Sequence, residues 1–199
     1  MRKNISLRQS LPIIFIVVAI IGLAASYALT FDTIKVLKNP AYIPSCNINP
    51  ILSCGDVMKT KQGEILGVPN PIFGLIGFSM LLTFGLVLST GSVLKKWLWQ
   101  LINAGALAGF IFFVYLFFQA SFRIHAICPW CFVVWMITPP VFWYTTLYNL
   151  REKNLDFAFI KPKLSAWLQK HHGEILFCWY LIVFMTLFVK FYYYWKTLV

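Results

Sequence analysis

Five long stretches of the chain carry almost no charge, and the polar residues gather in the segments between them. Each stretch supplies the roughly 20 apolar residues that a helix needs to cross a bilayer. The predicted spans fall at residues 11–31, 72–94, 97–122, 126–150 and 174–195, with a polar loop at 32–71. The fourth contains Thr138-Pro139-Pro140, and two prolines there predict a kink or a break in the helix hydrogen bonding. In the fifth, Lys190 is close enough to the aromatic run Tyr192-Tyr193-Tyr194-Trp195 to snorkel toward an interface. The connection from Arg151 to Gly173, with Pro162 and several charges, reads as a linker.

Composition turns this pattern into a class. Of the 199 residues, 60% are hydrophobic and 12% charged, against about half and a quarter in soluble domains. The fold class is therefore all-α integral membrane, with one domain covering residues 1–199. A net charge of +11 would suggest nucleic acid in a soluble protein. Here lysines and arginines flank spans, where they face anionic lipid, and no soluble basic patch with interleaved aromatics is present. A transporter would want charges inside the membrane, and the first four spans contain no Asp, Glu, Lys or Arg.

Basic residues also predict orientation. With the N-terminus inside, the inner segments hold Arg2, Lys3, Arg8, Lys95, Lys96, Arg151, Lys153, Lys161, Lys163 and Lys170, which outnumber the outer ones. The short Lys95-Lys96 turn weighs more than the long first loop. Loop 32–71, the start of span four and the C-terminus then lie outside. Ser26-Tyr27-Ala28 after an apolar run also fits a signal-peptide cleavage site, although the run is longer than the usual ~7–15-residue core.

Four of the five cysteines form two pairs on that outer side. Cys128 and Cys131, in Cys-Pro-Trp-Cys, share one face of a helix start, where the partial positive charge favours a thiolate. Pro129 suits the first turn. Cys46 and Cys54 lie in a short loop rich in turn formers, where a disulfide would stabilise little but could be attacked by a partner's thiol and swing toward a second pair. Ser53 is placed to cap a short helix beginning at Cys54. Redox pairs, structural disulfides and a four-thiolate metal site all remain open on these grounds, the metal site being disfavoured by the unequal spacing and the oxidising side. The site assignment holds no metal ligand. Cys178, near the start of span five, reads as a small packing residue.

The order of these motifs resembles the vitamin K epoxide reductase family. The resemblance rests on Cys46 and Cys54, on Gly67-Val68-Pro69-Asn70-Pro71-Ile72-Phe73-Gly74-Leu75-Ile76-Gly77-Phe78 entering span two, and on Cys128-Pro129-Trp130-Cys131. It covers roughly residues 11–195. The analogous DsbB-type enzymes place their pairs in the reverse order. The resemblance implies a four-helix bundle around a quinone with the fifth helix peripheral, in a bacterial inner membrane. It implies a thiol–quinone oxidoreductase fed by a separate, exported thioredoxin-like partner of the DsbA type, with ubiquinone or menaquinone as electron acceptor. Cys46 would meet the partner, Cys54 would exchange with Cys128, and Cys131 would face the quinone. Asn70 would hydrogen-bond a quinone carbonyl, and Thr60, at a position usually held by a hydroxyl residue, and Trp135 would complete the quinone-binding set. Trp135 replaces a tyrosine of the animal enzymes; an indole donates one N–H and accepts nothing, so quinone rather than epoxide reduction is expected.

Overall fold

A computed structural model describes residues 7–49, 51–65, 67–155 and 162–196. Helix α1 (Leu7–Lys38) leads to the short α2 (Cys54–Met58) and a two-stranded hairpin of β1 (Glu64–Ile65) and β2 (Val68–Pro69). Then come α3 (Asn70–Ser89), α4 (Lys96–Gln119), α5 (Pro129–Arg151), α6 (Pro162–Lys170), α7 (His172–Lys190) and α8 (Tyr192–Trp195). Five of these helices are long and apolar enough to cross a membrane. Their outward faces carry exposed Ile, Val, Leu and Phe, as helices solvated by lipid should.

Helix α1 packs along α3 and α5, and α4 packs along α5. Lipid tails are as apolar as leucine, so such contacts depend on close approach, which small residues permit. Phe78 of α3 occupies the space over Gly22, where a Cβ would come within 2.5 Å of the ring. Gly74 sits directly against the Ser26 hydroxyl. Polar side chains join α4 and α5 at the end away from the cysteines: Asn149 Nδ2 donates to the Trp99 carbonyl at 3.0 Å, and Asn103 Nδ2 to Thr146 Oγ1 at 2.8 Å. Helix α7 packs on the outside through Val183 and Leu187, which join a cluster with Phe113 and Trp135.

Several boundaries and details differ from the sequence reading. Helix α1 continues past the apolar run to Lys38, so the first part of the expected 32–71 loop is helical. Hydropathy detects where apolar residues stop, whereas helix hydrogen bonding does not require them. The linker contains α6, and its residues 156–161 lie outside the described ones. The prolines leave α5 unbroken. Pro140 has no N–H for the carbonyl of Met136, and the Tyr180 hydroxyl of α7 donates to that oxygen instead. Cys178 is exposed on α7 rather than buried in the bundle, which corrects its reading as a packing residue. Its position faces the apolar surround, where a small thiol is as acceptable as in a core. Lys190 does lean to its helix end, with Nζ 4.2 Å from the centre of the Phe122 ring.

Candidate active site

The loop between α1 and α2 is ordered by its own side chains. Asn49 Oδ1 accepts from the backbone of Ile51 and Leu52 at 3.0 and 2.8 Å, and Asn47 Oδ1 accepts from Gly55 N at 2.9 Å. Asparagine favours such local turns because its carboxamide reaches backbone groups a few residues on. Gly55 has room for Asn47 only because it lacks a Cβ, which would lie 2.9 Å from the carboxamide. Ser53 caps α2 as expected, its hydroxyl accepting from Asp56 N at 3.2 Å. The picture of a free-swinging loop therefore gives way to a pinned one.

A single parallel bridge then joins this loop to the start of α5. Ile127 N donates to the Ile51 carbonyl at 2.7 Å, and Ser53 N donates to the Ile127 carbonyl at 3.1 Å. Upstream, α4 ends in a π-type turn at Ala120–Ile124, and His125 takes a left-handed conformation with φ of 58°. Such turns redirect a chain at functional sites. Here the redirected chain delivers Ile127 to the bridge and Cys128 to the cap position of α5.

The bridge brings the two cysteine pairs together. Cys46 and Cys54 are joined in a disulfide, and Cys128 Sγ lies 3.2 Å from Cys54 Sγ. Cys131 is one turn further along α5, and its backbone N lies 3.4 Å from Cys128 Sγ. Leu29 of α1 covers Cys46, Cys54 and Cys128, all of which are buried. Burial and, to a smaller degree, the Asp32 charge push the Cys128 thiol up, but donation from the Cys131 side chain and from the backbone of Cys131 and Trp130 outweighs them, so the thiol lies below its ordinary range. That favours the thiolate, the species that exchanges with disulfides.

Beneath the sulfurs, a cavity of about 920 Å³ extends between α3 and α4, with α5 as its floor. Cys54, Cys128 and Cys131 line one end of it, and Trp135 lines it one turn along α5 from Cys131. Phe113 and Phe117 hold the indole, at 6.1 and 5.2 Å between ring centres. Gly77 and Gly105 leave open space on the facing walls. The lining is almost wholly apolar, with a few polar atoms near the sulfurs, which is the ordinary design of a site for an apolar ring bearing polar groups.

Two of those atoms have no hydrogen-bond partner among the described residues. Asn70 opens α3 and uses Nδ2 on the Gln62 carbonyl at 2.7 Å, leaving its buried Oδ1 without a hydrogen bond. Gln119 also lines the cavity with a buried Oε1 that has no partner. A buried polar atom left unpaired costs free energy, so both fit a ligand that supplies hydrogen-bonding groups. Gln119 was missed in the sequence, where its one signal is a carboxamide within an apolar span. Thr60 is placed differently: it is not among the described residues lining the cavity, and its hydroxyl donates to the Val57 carbonyl at 2.7 Å, closing the end of α2. A hydroxyl satisfied by its own turn has little reason to reach a ligand. Asp32 was also missed, since it falls just past the first apolar run; its carboxylate is buried beside Cys46.

No curated protein matches this chain. The profile of the vitamin K epoxide reductase family matches residues 13–146, a range that takes in all four paired cysteines, Asn70 and Trp135, and leaves α7 outside. A disulfide against a buried thiol at the mouth of an apolar cavity, within five membrane-length helices, agrees with that match, and the chain belongs to the vitamin K epoxide reductase family of membrane oxidoreductases.

Proposed function

We propose that the protein reoxidises an exported thioredoxin-like partner of the DsbA type and passes the electrons through its two cysteine pairs to a quinone, supporting disulfide bond formation. The observation that carries this reading is the 3.2 Å separation between Cys128 Sγ and Cys54 Sγ. A partner thiolate attacks Cys46; the partner–Cys46 bond forms, the Cys46–Cys54 bond breaks, and Cys54 leaves as a thiolate. The partner's second thiol resolves the mixed disulfide and frees the oxidised partner. With the inner pair oxidised, Cys54 attacks Cys128 and expels Cys131 as a thiolate. Cys46 then attacks Cys54, restoring the outer disulfide and leaving Cys128 and Cys131 reduced.

The quinone is the substrate that takes two electrons and two protons from this inner dithiol, yielding a quinol and the Cys128–Cys131 disulfide. Asn70 and Gln119 offer amide hydrogens to the ring oxygens of the quinone and their unpaired carboxamide oxygens to the hydroxyls of the quinol, and Trp135 packs on the ring; Thr60 supports the cysteine loop. Each ~30 mV of difference between donor and acceptor contributes ~1.4 kcal/mol for two electrons, so the quinone must lie above a DsbA-type partner at ~−120 mV. A respiratory quinone, ubiquinone or menaquinone, meets that need. The reading places the chain in a bacterial inner membrane, with the N-terminus cytoplasmic and the cysteines and C-terminus outside. Purified protein mixed with a reduced thioredoxin-like protein and a soluble quinone should bleach quinone absorbance in a cysteine-dependent way. Absence of bleaching with every quinone tried refutes it.

A further inference from the structure

Carboxylates are seldom fully buried without a task. Asp32, on the outer part of α1, is only 5% exposed. Its Oδ1 accepts the Tyr42 hydroxyl at 2.9 Å, and its Oδ2 lies 3.8 Å from Cys46 Sγ. A disulfide sulfur carries no proton, so this approach is a contact and not a hydrogen bond. Its meaning appears when the disulfide opens.

We propose that Asp32 decides which sulfur of the Cys46–Cys54 disulfide is attacked, by disfavouring a thiolate at Cys46. This rests on the relay reading above and names the device that gives the relay a direction. In thiol–disulfide exchange the sulfur better able to carry negative charge leaves faster. A like charge within about 4–6 Å opposes a thiolate. Attack at Cys46 forms a bond to that sulfur, breaks Cys46–Cys54, and places the departing electron pair on Cys54, the sulfur that Asp32 does not contact and that lies against Cys128. Attack at Cys54 by Cys128, from 3.2 Å, would instead expel Cys46 as a thiolate beside Asp32. The same charge therefore opposes return of electrons from the inner pair, a step that expels Cys46, more than it opposes their entry, a step that expels Cys54.

The other groups around this pair are Tyr42, Cys54, Cys128 and Lys35, whose Nζ lies 5.1 Å from the centre of the Tyr42 ring. Of these, Cys128 can also carry negative charge, but its sulfur lies against Cys54, whereas the Asp32 carboxylate lies against Cys46. Tyr42 donates to Asp32 and would do the same to an asparagine, so Asp32→Asn removes the charge while keeping shape and hydrogen bond.

Two measurements test this, and neither needs a quinone or a protein partner, so they fail independently of the proposed function. In Cys54→Ser protein, the pH profile of Cys46 alkylation by iodoacetamide should move down by about one unit on Asp32→Asn. Asp32→Glu should leave it near the parent. In protein with all its cysteines, 2-mercaptoethanol should leave its mixed disulfide on Cys46 and free Cys54, read by peptide mapping; Asp32→Asn should move a share onto Cys54. Superimposable alkylation profiles, an unmoved partition, or an equal shift with Asp32→Glu overturns the proposal.

Discussion

The sulfur end of the bundle and the cavity below it are built on opposite principles. Around the sulfurs, almost every polar group has a named partner: Asn47 holds Gly55, Asn49 holds Leu52, Ile127 bridges to Ile51, and Ser53 caps α2. The cavity has apolar walls, open glycine faces and two carboxamide oxygens without partners. Thiol exchange needs sulfurs held within contact distance, so the first region is over-determined. A membrane-soluble ring must enter and leave, so the second keeps room and keeps its hydrogen bonds unspent. Substitutions in the first region should act as switches, and those in the second as graded changes.

The sharpest break comes at Cys131. Cys131→Ser should reduce quinone turnover to background with any electron donor, measured as quinone bleaching, because no sulfur remains to close the inner pair. Cys46→Ser should be nearly as severe with a protein partner yet leave quinone reduction by a small dithiol measurable; equal loss with both donors would contradict the division of labour between the pairs.

The pH response separates the regions next. The Cys128 thiol lies below its ordinary range, so its thiolate persists as pH falls and is lost only when pH passes below the folded value. Cys131→Ala removes a donor to that sulfur, and the alkylation profile of Cys128 should then shift to higher pH. In the cavity, Asn70→Ala and Gln119→Ala should each raise the KM for quinone by about tenfold, the equivalent of one ligand hydrogen bond, with Cys128 alkylation unchanged. The smallest effect belongs to Tyr180→Phe, which leaves the Met136 carbonyl unpaired at Pro140 and should cost about 1 kcal/mol in detergent unfolding.

How far the sequence reaches differs by region as well. The membrane spans were legible because every backbone polar group in a bilayer must be satisfied within a helix, and long apolar runs signal that demand. Cap chemistry was legible too, since Ser53 needs only its own next turn to satisfy it. The end of α1 was not, because Asp32, Lys35 and Lys38 interrupt the apolar run while the helix continues through them. The Thr60 hydrogen bond and the outward turn of Cys178 were not legible for a related reason: residue type does not reveal whether a hydroxyl is already bonded or which way a helix face is turned.

By itself, then, the sequence determined the class of molecule, its five spans and the two cysteine pairs as candidates, since length, hydropathy and motif order are local properties of a chain. Only the tertiary structure decided that Cys54 meets Cys128, that Asp32 stands against Cys46, and that Asn70 and Gln119 share one cavity. Those are distances between segments far apart in the chain. They are set by one bridge between Leu52 and Ile127 and by glycines that let α3 approach α1, and no local pattern encodes where such a bridge will form.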